Sequence, residues 1–416
     1  MTGKTMKTGV LIVGAGHAGA QVALMLRKLG YSGAIALVGA EPDYPYERPS
    51  LSKGYLAGED SLESITIRPK EVWDGEKVDV LLGRRIVQVV PDDQQAICGN
   101  GETISYDKLI WAAGGSPRQL SVPGGHLSSI HVIRSRADVD ALRAETAQAK
   151  NIVVIGGGYI GLEASSVLVG FGKRVTILEG QNRLLSRVAG PELSAFYAKE
   201  HRNKGVNVRL GTAIEEILGM DGRATGVRIA GGEILLADAI IVGIGIEPEV
   251  APLIEAGAQG ALAGVKVDEF CRTTLSNIYA AGDCAAHPNR YADGALTRLE
   301  SIQNAYDQAT VVAKSIVGDP VSYDAVPWFW SDQYDLKLQT AGLLNDYDEV
   351  VLRGDPETRS FSVIYLKEDR VIALDCVNDV KSYAHGRRLI SKGGECERNV
   401  LVDPSLPLVP RAGKPA

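Results

Sequence analysis

An α/β fold with two dinucleotide-binding units and a further mixed α/β domain is predicted by three observations. A strand, a glycine turn and a helix follow one another twice, around residue 14 and again around residue 156. Each copy is followed by an acidic residue about 20 positions on, the spacing of a ribose contact in this kind of motif. And 416 residues are too many for one hydrophobic core, which implies two or three domains.

In the first copy, residues 9–13 (Gly-Val-Leu-Ile-Val) read as a buried parallel strand. Gly14, Ala15, Gly16, His17, Ala18 and Gly19 come next, and the spacing predicts a helix over 20–29. A second strand over 34–38 leads to Glu41, 22 residues beyond Gly19. Gly14 makes the tight turn, Gly16 lets backbone approach a pyrophosphate, and Gly19 lets helix and strand pack closely. The helix N-terminus faces the phosphates and the acid takes ribose hydroxyls.

The second copy has a strand over 152–155, the turn Gly156, Gly157, Gly158, Tyr159, Ile160 and Gly161, and a helix predicted over 162–171. A strand over 175–178 ends at Glu179, 18 residues after Gly161. That acid favours a free ribose 2′-hydroxyl over a 2′-phosphate. Arg183 and Arg187 follow and read as a solvated helix face. Two such sites imply one tightly held FAD and one NADH.

Composition narrows the function classes. Hydrophobic residues at 45% and charged residues at 23% are those of a globular chain. The 47 glycines, against about 7% in ordinary usage, fall in short clusters, as turns and phosphate cradles do. A net charge of -7 argues against a dedicated nucleic-acid binder. Five cysteines (Cys98, Cys271, Cys284, Cys376, Cys396), an odd number with no Cys-x-x-Cys, predict neither a disulfide framework nor a metal site. Lys4 and Lys7 precede an apolar run, but residues 10–13 are too few for a secretory segment and break into Gly14. No apolar stretch reaches a membrane-spanning length of about 18 residues, so a cytoplasmic protein is expected.

Four segments narrow the reading further: residues 46–53 (Tyr-Glu-Arg-Pro-Ser-Leu-Ser-Lys), 156–163 (Gly-Gly-Gly-Tyr-Ile-Gly-Leu-Glu), 281–284 (Ala-Gly-Asp-Cys) and 329–334 (Phe-Trp-Ser-Asp-Gln-Tyr). With them the chain resembles, over nearly its whole length, the oxygenase-coupled FAD-dependent NADH:ferredoxin reductases of the putidaredoxin-reductase kind, within the glutathione-reductase-like superfamily. The last segment is the one that separates this branch from others. The resemblance implies an FAD domain in two pieces, 1–113 and 246–320, with an NADH domain over 114–245 between them and a C-terminal domain over 321–416. Residues 109–115 and 240–245 read as strands running into glycine turns at the two crossovers, and alternation over 361–365 and 371–374 predicts strands in the last domain.

Further roles are implied by the same resemblance. Asp283, just before a helix, would bond the ribityl chain of the flavin. Lys53 would lie near flavin N5 and pair with Glu163. Tyr159 would cover the ring until nicotinamide displaces it, and Trp330, beside Trp328, would stand where electrons leave. Arg48, Val87, Arg134 and Ile302 match flavin-contact positions, Ala113 and Gly114 line the first crossover, Gly245 closes the second, and Glu300 matches a position near the nicotinamide. Two places depart from the family pattern. The acid expected after the glycine ending the second strand is Ala40, with Glu41 one residue later, and His17 stands at a variable turn position where only backbone contact is expected.

The reaction expected is transfer from NADH through FAD, one electron at a time, to a [2Fe–2S] ferredoxin feeding an oxygenase such as a cytochrome P450. Disulfide reductases need a cysteine pair near the flavin, and coenzyme A disulfide reductases one cysteine after the second strand; this chain has Ser50 and Ser52 there. A rubredoxin reductase and an NADH-sensing flavoprotein resembling apoptosis-inducing factor are the alternatives. Lys381, Arg387, Arg388, Lys392, Arg398, Arg411 and Lys414, against Glu395, Glu397 and Asp403, make the C-terminal segment locally basic. Arg68, Lys70, Arg84 and Arg85 form further basic pairs, and a ferredoxin dock is expected among these residues. No nucleic-acid or membrane partner is expected, and the chain is read as a monomer or weak homodimer.

Overall fold

The computed structural model describes residues 5–261 and 263–411; Lys4 and Lys414, named above, lie outside them. The chain forms two compact units, each gathered from separate segments. The first comprises Met1–Glu47, Ser61–Ser116 and Ile246–Pro327, the second Arg48–Asp60, Pro117–Gly245 and Trp328–Ala416.

In the first unit, parallel strands lie in the order Val78–Leu81, Ile35–Val38, Thr5–Val13, Thr103–Trp111 and Ile278–Ala280. The strands Gln95–Cys98 and Ile86–Val90 extend the sheet antiparallel. Val10 and Ile12 feed one core, shared with the helices His17–Lys28 and Ile302–Ile316; Leu11 and Val13 feed a second on the opposite face. A central parallel strand is covered on both sides, so it reads as an unbroken apolar run.

Gly14 sits at φ +111°, and a Cβ there would fall 2.1 Å from the Ala112 carbonyl oxygen. Gly19 has the opposite reason to be glycine: its Cβ would fall 1.9 Å from the Gly14 oxygen, within the helix's own first turn. The helix therefore begins at His17, three residues earlier than periodicity predicts, because the last glycine of the motif is a packing position inside the helix. The same correction applies to the second copy, where the helix is Tyr159–Gly170.

The second unit holds a parallel sheet in the order Asn207–Arg209, Arg174–Leu178, Asn151–Ile155, Ala239–Val242 and Ile130–His131. A three-stranded antiparallel sheet, Ile214–Met220, Arg223–Ile229 and Ile234–Leu236, accompanies it. The C-terminal part is an antiparallel sheet ordered Trp328–Gln333, Leu336–Gly342, Arg370–Val377, Ser360–Lys367 and Glu349–Asp355. The helix Val380–Ser391 packs on the second and third of these strands. The alternation read over 361–365 and 371–374 marks two of them.

One expectation fails in the first unit. Asp283 is followed by the strand Ala285–Pro288, and the next α-helix begins only at Ile302. Gly282, at φ +81°, opens a tight turn closed by Ala285 N donating to the Gly282 oxygen at 3.0 Å, and the chain leaves it as a strand, not a helix. Among the described residues, no helix is long and apolar enough to cross a membrane.

Gly19→Ala tests the helix–strand approach. Because the added carbon meets backbone, it is expected to cost about 1–3 kcal/mol, read by urea unfolding of the purified protein.

Candidate functional site

Both glycine turns end in helices without a side-chain cap. His17–Lys28 starts from Gly16 and Tyr159–Gly170 from Gly158, each with no acid in its first turn. Some other helices are capped, Ser135 accepting from Asp138 N and Ser301 from Asn304 N, whereas Pro191–Asn203 likewise starts uncapped, from Gly190. A Cβ on Gly158 would lie 4.0 Å from the Gly243 oxygen, with nothing nearer. Packing does not demand that glycine, and the space it leaves suits the close approach of a phosphate. The two turns thus fit a dinucleotide pyrophosphate each.

The acids behind the turns are held in place. Glu179 accepts from Gly157 N at 2.6 Å and from Gln181 N at 2.7 Å, so its carboxylate lies against the turn. Glu41 accepts the Tyr46 hydroxyl at 2.5 Å. Arg183 is not on a solvated face: it donates to the Ala189 and Ser186 oxygens and to Ser194 Oγ, bracing its own loop. Arg187 is exposed, and its guanidinium approaches Gly245, a glycine at φ +98°.

The His17 side chain has protein partners of its own. Its ring is buried, with Nε2 at 2.7 Å from Glu47 Oε2 and Tyr306 beside it at 5.8 Å between ring centroids. The His17 hydrogen bond holds the Glu47 carboxyl below its ordinary pKa. Ala18 is buried in the helix's first turn and Ala15 is half-buried in the loop. Ala113 and Gly114 follow the strand Thr103–Trp111, and Gly114 O accepts from Glu249 N at 3.0 Å. Val87 is 45% exposed on its strand. Asp283 receives Arg298 through its backbone oxygen, and the same arginine pairs with Glu300 at 2.7 Å. Ile302 opens the helix that Ser301 caps.

The second unit contains a buried charge cluster. The 3-10 turn Arg48–Ser52 delivers Lys53, whose Nζ lies 2.8 Å from Glu163 Oε2. The lysine side chain is 20% exposed and the glutamate 4%. Ser52 Oγ donates to the same carboxylate oxygen at 2.5 Å, and Ser331 Oγ donates to Oε1 at 2.6 Å. The segment is anchored by Tyr55, which donates to Asp140 at 2.8 Å with Arg143 over its ring. Arg48 donates to the Arg134 oxygen at 2.5 Å, which brings two predicted site residues together.

The strand Trp328–Gln333 has two faces because its residues alternate. Phe329, Ser331 and Gln333 share one: Phe329 stacks on Tyr159 at 4.6 Å, and both polar residues are fully buried. Trp328 and Trp330 share the other, 5.8 Å apart, with Arg387 at 5.3 Å over Trp328. Burial and the neighbouring Asp375 raise the Tyr159 hydroxyl well above its ordinary pKa. Ile160, beside it, is 44% exposed.

Sequence reasoning missed Ser52, Ser331, Gln333 and His201, although the first three lie in motifs that it quoted. Alternation about Trp330 was the available signal for Ser331 and Gln333. His201 carries none, being one polar residue in an otherwise ordinary amphipathic helix. The basic segment is thinner than its composition suggests, since Arg398 pairs with Glu349 and Arg411 with Glu397. Lys381, Arg387 and Arg388 share the helix Val380–Ser391.

The chain matches the pyridine nucleotide-disulphide oxidoreductase family over residues 8–309 and the reductase C-terminal family over 328–411. It is 53% identical over 399 residues to a 5,5′-dehydrodivanillate O-demethylase ferredoxin reductase subunit of Sphingobium, covering 96% of this chain and 97% of that one. It is 50% identical to a ferredoxin–NAD(P)+ reductase of Sphingomonas, covering 96% of each. Among solved structures, the covalent putidaredoxin reductase–putidaredoxin complex aligns with a TM-score of 0.93 at 36% identity, covering 96% of this chain and 97% of the other.

Burial gives the second unit a pH signature. His201 is fully buried and its pKa is pushed down from 6.5 to about 4. Above pH 6.5 the imidazole is neutral folded or unfolded and contributes nothing. As pH falls from there toward 4 the unfolded chain takes the proton first, so stability drops, by a limit on the order of 3 kcal/mol. His287, lowered to about 4 by burial in the first unit, adds in the same direction. Urea unfolding at pH 7.5 and pH 4.5 is expected to show the loss, and a flat profile would contradict it.

Proposed function

The chain belongs to the pyridine nucleotide-disulphide oxidoreductase family, and from that premise we propose that it is an FAD-dependent NADH:ferredoxin oxidoreductase passing single electrons to a [2Fe–2S] ferredoxin for an oxygenase such as a cytochrome P450. The observation that carries the reading is the buried Lys53–Glu163 pair with Ser52 beside it. A cation held in a poorly solvated site beside a fixed counter-ion stabilises negative charge as it arrives. A serine next to it provides no thiol for disulfide exchange. The five cysteines are all free, and four of them are buried.

Bound FAD supplies the conversion of a two-electron hydride donor into single electrons. The chain supplies everything around it. The uncapped amides after Gly14–Gly16 take the FAD pyrophosphate, and those after Gly156–Gly158 take that of NADH. Glu179, already against its turn, accepts from the ribose and repels a 2′-phosphate. As the family resemblance implies, Lys53 would meet the flavin, held in place by Glu163. Arg48, Val87, Ala113, Gly114, Arg134, Asp283 and Ile302 would contact the flavin, and Gly245 and Glu300 the nicotinamide. Tyr159 would cover the ring, and Trp330 would stand where electrons leave. Arg387 lies over Trp328, and its helix also carries Lys381 and Arg388, cations that suit an acidic iron–sulfur protein.

NADH-driven cytochrome c reduction, with and without a [2Fe–2S] ferredoxin from the same genome, tests the reading. Strong dependence on the ferredoxin is expected, with NADPH at least tenfold poorer in kcat/KM, about 1.4 kcal/mol of discrimination. Rapid NADH oxidation indifferent to ferredoxin would reject it. Reversing charge at Arg387→Glu and Arg388→Glu is expected to raise the ferredoxin KM about fivefold or more and to flatten its dependence on salt. An unchanged KM removes that pair from the dock.

A further inference from the structure

The hydrogen bonds reaching Glu163 do not end at Ser331. Gln333 Nε2 lies 3.2 Å from Ser331 Oγ, His201 Nε2 lies 2.9 Å from Gln333 Oε1, and the Tyr334 hydroxyl lies 2.9 Å from His201 Nδ1. Ser331, Gln333 and His201 are all fully buried. The chemistry of the groups dictates the direction of every bond. Glu163, paired with Lys53, is a carboxylate and only accepts, so Ser331 must donate to it. The Ser331 oxygen then accepts from the Gln333 amide nitrogen, which turns the Gln333 carbonyl toward His201. His201 must therefore carry its proton on Nε2, leaving Nδ1 bare to accept from Tyr334. Four donors in series point the same way, toward one carboxylate.

We infer that His201, acting through Gln333 and Ser331, is a positioning residue that holds Glu163 as an oriented carboxylate for Lys53. Its catalytic consequence rests on the reading of the flavin site above; the positioning itself rests on this geometry alone. In a poorly solvated interior each bond of such a series polarises the next, so the far end strengthens the near one. The series is not a proton conduit. A carboxamide donates and accepts through different atoms, and Gln333 would have to change tautomer to pass a proton. The chain therefore sets charge and orientation, and the neutral state of His201 suits that task.

Several ionisable groups surround the series, Asp332 among them, which bears on Tyr197 from the strand Trp328–Gln333. Lys53 faces Glu163 from the Arg48–Ser52 turn, Tyr159 acts from its own helix, and Tyr197 acts from the helix Pro191–Asn203. Asp375, on the strand Arg370–Val377, bears on both tyrosines. At the far end, Lys204 lies over the Tyr334 ring, Glu200 adjoins His201 and pairs with Arg359, and Arg359 also holds Asp335. None of these replaces the bond from Ser331 to Glu163 Oε1.

The test uses the FAD-loaded full chain labelled with 13C at glutamate carboxyls, so that Asp375 is silent and Glu163 is assigned by its loss in Glu163→Gln. His201→Phe keeps a ring but removes both nitrogens, and is expected to raise the Glu163 protonation midpoint by about one pH unit, tenfold in proton affinity. Ser331→Ala is expected to do at least as much. His201→Gln, whose amide can donate from the position of Nε2, is expected to return the midpoint toward the parent value. Turnover at saturating NADH should fall about five- to tenfold in His201→Phe, with the NADH KM changed less than twofold. A Glu163 titration unmoved in His201→Phe, whatever its melting temperature, overturns the inference. If His201→Phe does not fold, Gln333→Leu, which cuts the same series between His201 and Ser331, decides in its place. Should the parent protein fail to reduce any ferredoxin while the Glu163 midpoint still moves, the functional reading falls and the positioning stands.

Discussion

A carboxylate taken out of water must be repaid by donors, or it takes a proton and the charge is lost. Glu163 is nearly inaccessible, and the second unit is arranged to meet that demand. Lys53 and Ser52 come from one segment and Ser331 from another, 111 and 168 residues away from Glu163 for the two serines. The convergence of 48–60, the second glycine-turn helix and the strand Trp328–Gln333 in one compact unit is the structural expression of this single requirement. The Tyr55–Asp140 bond keeps the lysine segment from withdrawing.

The same requirement explains why the C-terminal sheet is integral to its unit. One strand serves two purposes through its pleat, burying Ser331 and Gln333 inward while presenting Trp328 and Trp330 on the other side. Further bonds tie the sheet to the helix Pro191–Asn203 and its approach. Gly190 N donates to the Tyr365 hydroxyl, which donates to buried Asp375 at 2.7 Å. Burial raises the Asp375 carboxyl well above its ordinary pKa, to about 7. Arg359 meets the buried Glu200, and on the exposed side Lys199 meets Glu357. That exposed pair contributes little, while the buried tyrosine and the apolar contacts around it define the geometry.

The two dinucleotide turns solve a different problem with a shared device. Each combines a glycine at positive φ for the turn with another that gives no Cβ to the helix–strand crossing. They differ in what stands behind them. Glu179 is bonded directly to its turn, whereas Glu41 is drawn to Tyr46, and the first helix instead begins with a buried histidine held by Glu47. The first turn is thus tied to the 41–47 loop by side chains, and the second to its own sheet.

Local patterns in the sequence determined the parallel strands, both glycine turns and the C-terminal strands, because each depends on residues within a dozen positions: an apolar run, a glycine spacing, a period of two. Resemblance to a known family added the pairing of Lys53 with Glu163. Tertiary structure alone decided the rest. His17 turning to Glu47, Arg183 bracing its loop, and Asp283 leading into a strand are each settled by partners that no local pattern marks. The series from Tyr334 through His201, Gln333 and Ser331 to Glu163 is the clearest case. Polar residues buried singly on three elements leave no periodic trace, and their common purpose exists only once a buried carboxylate needs donors that its own helix cannot supply.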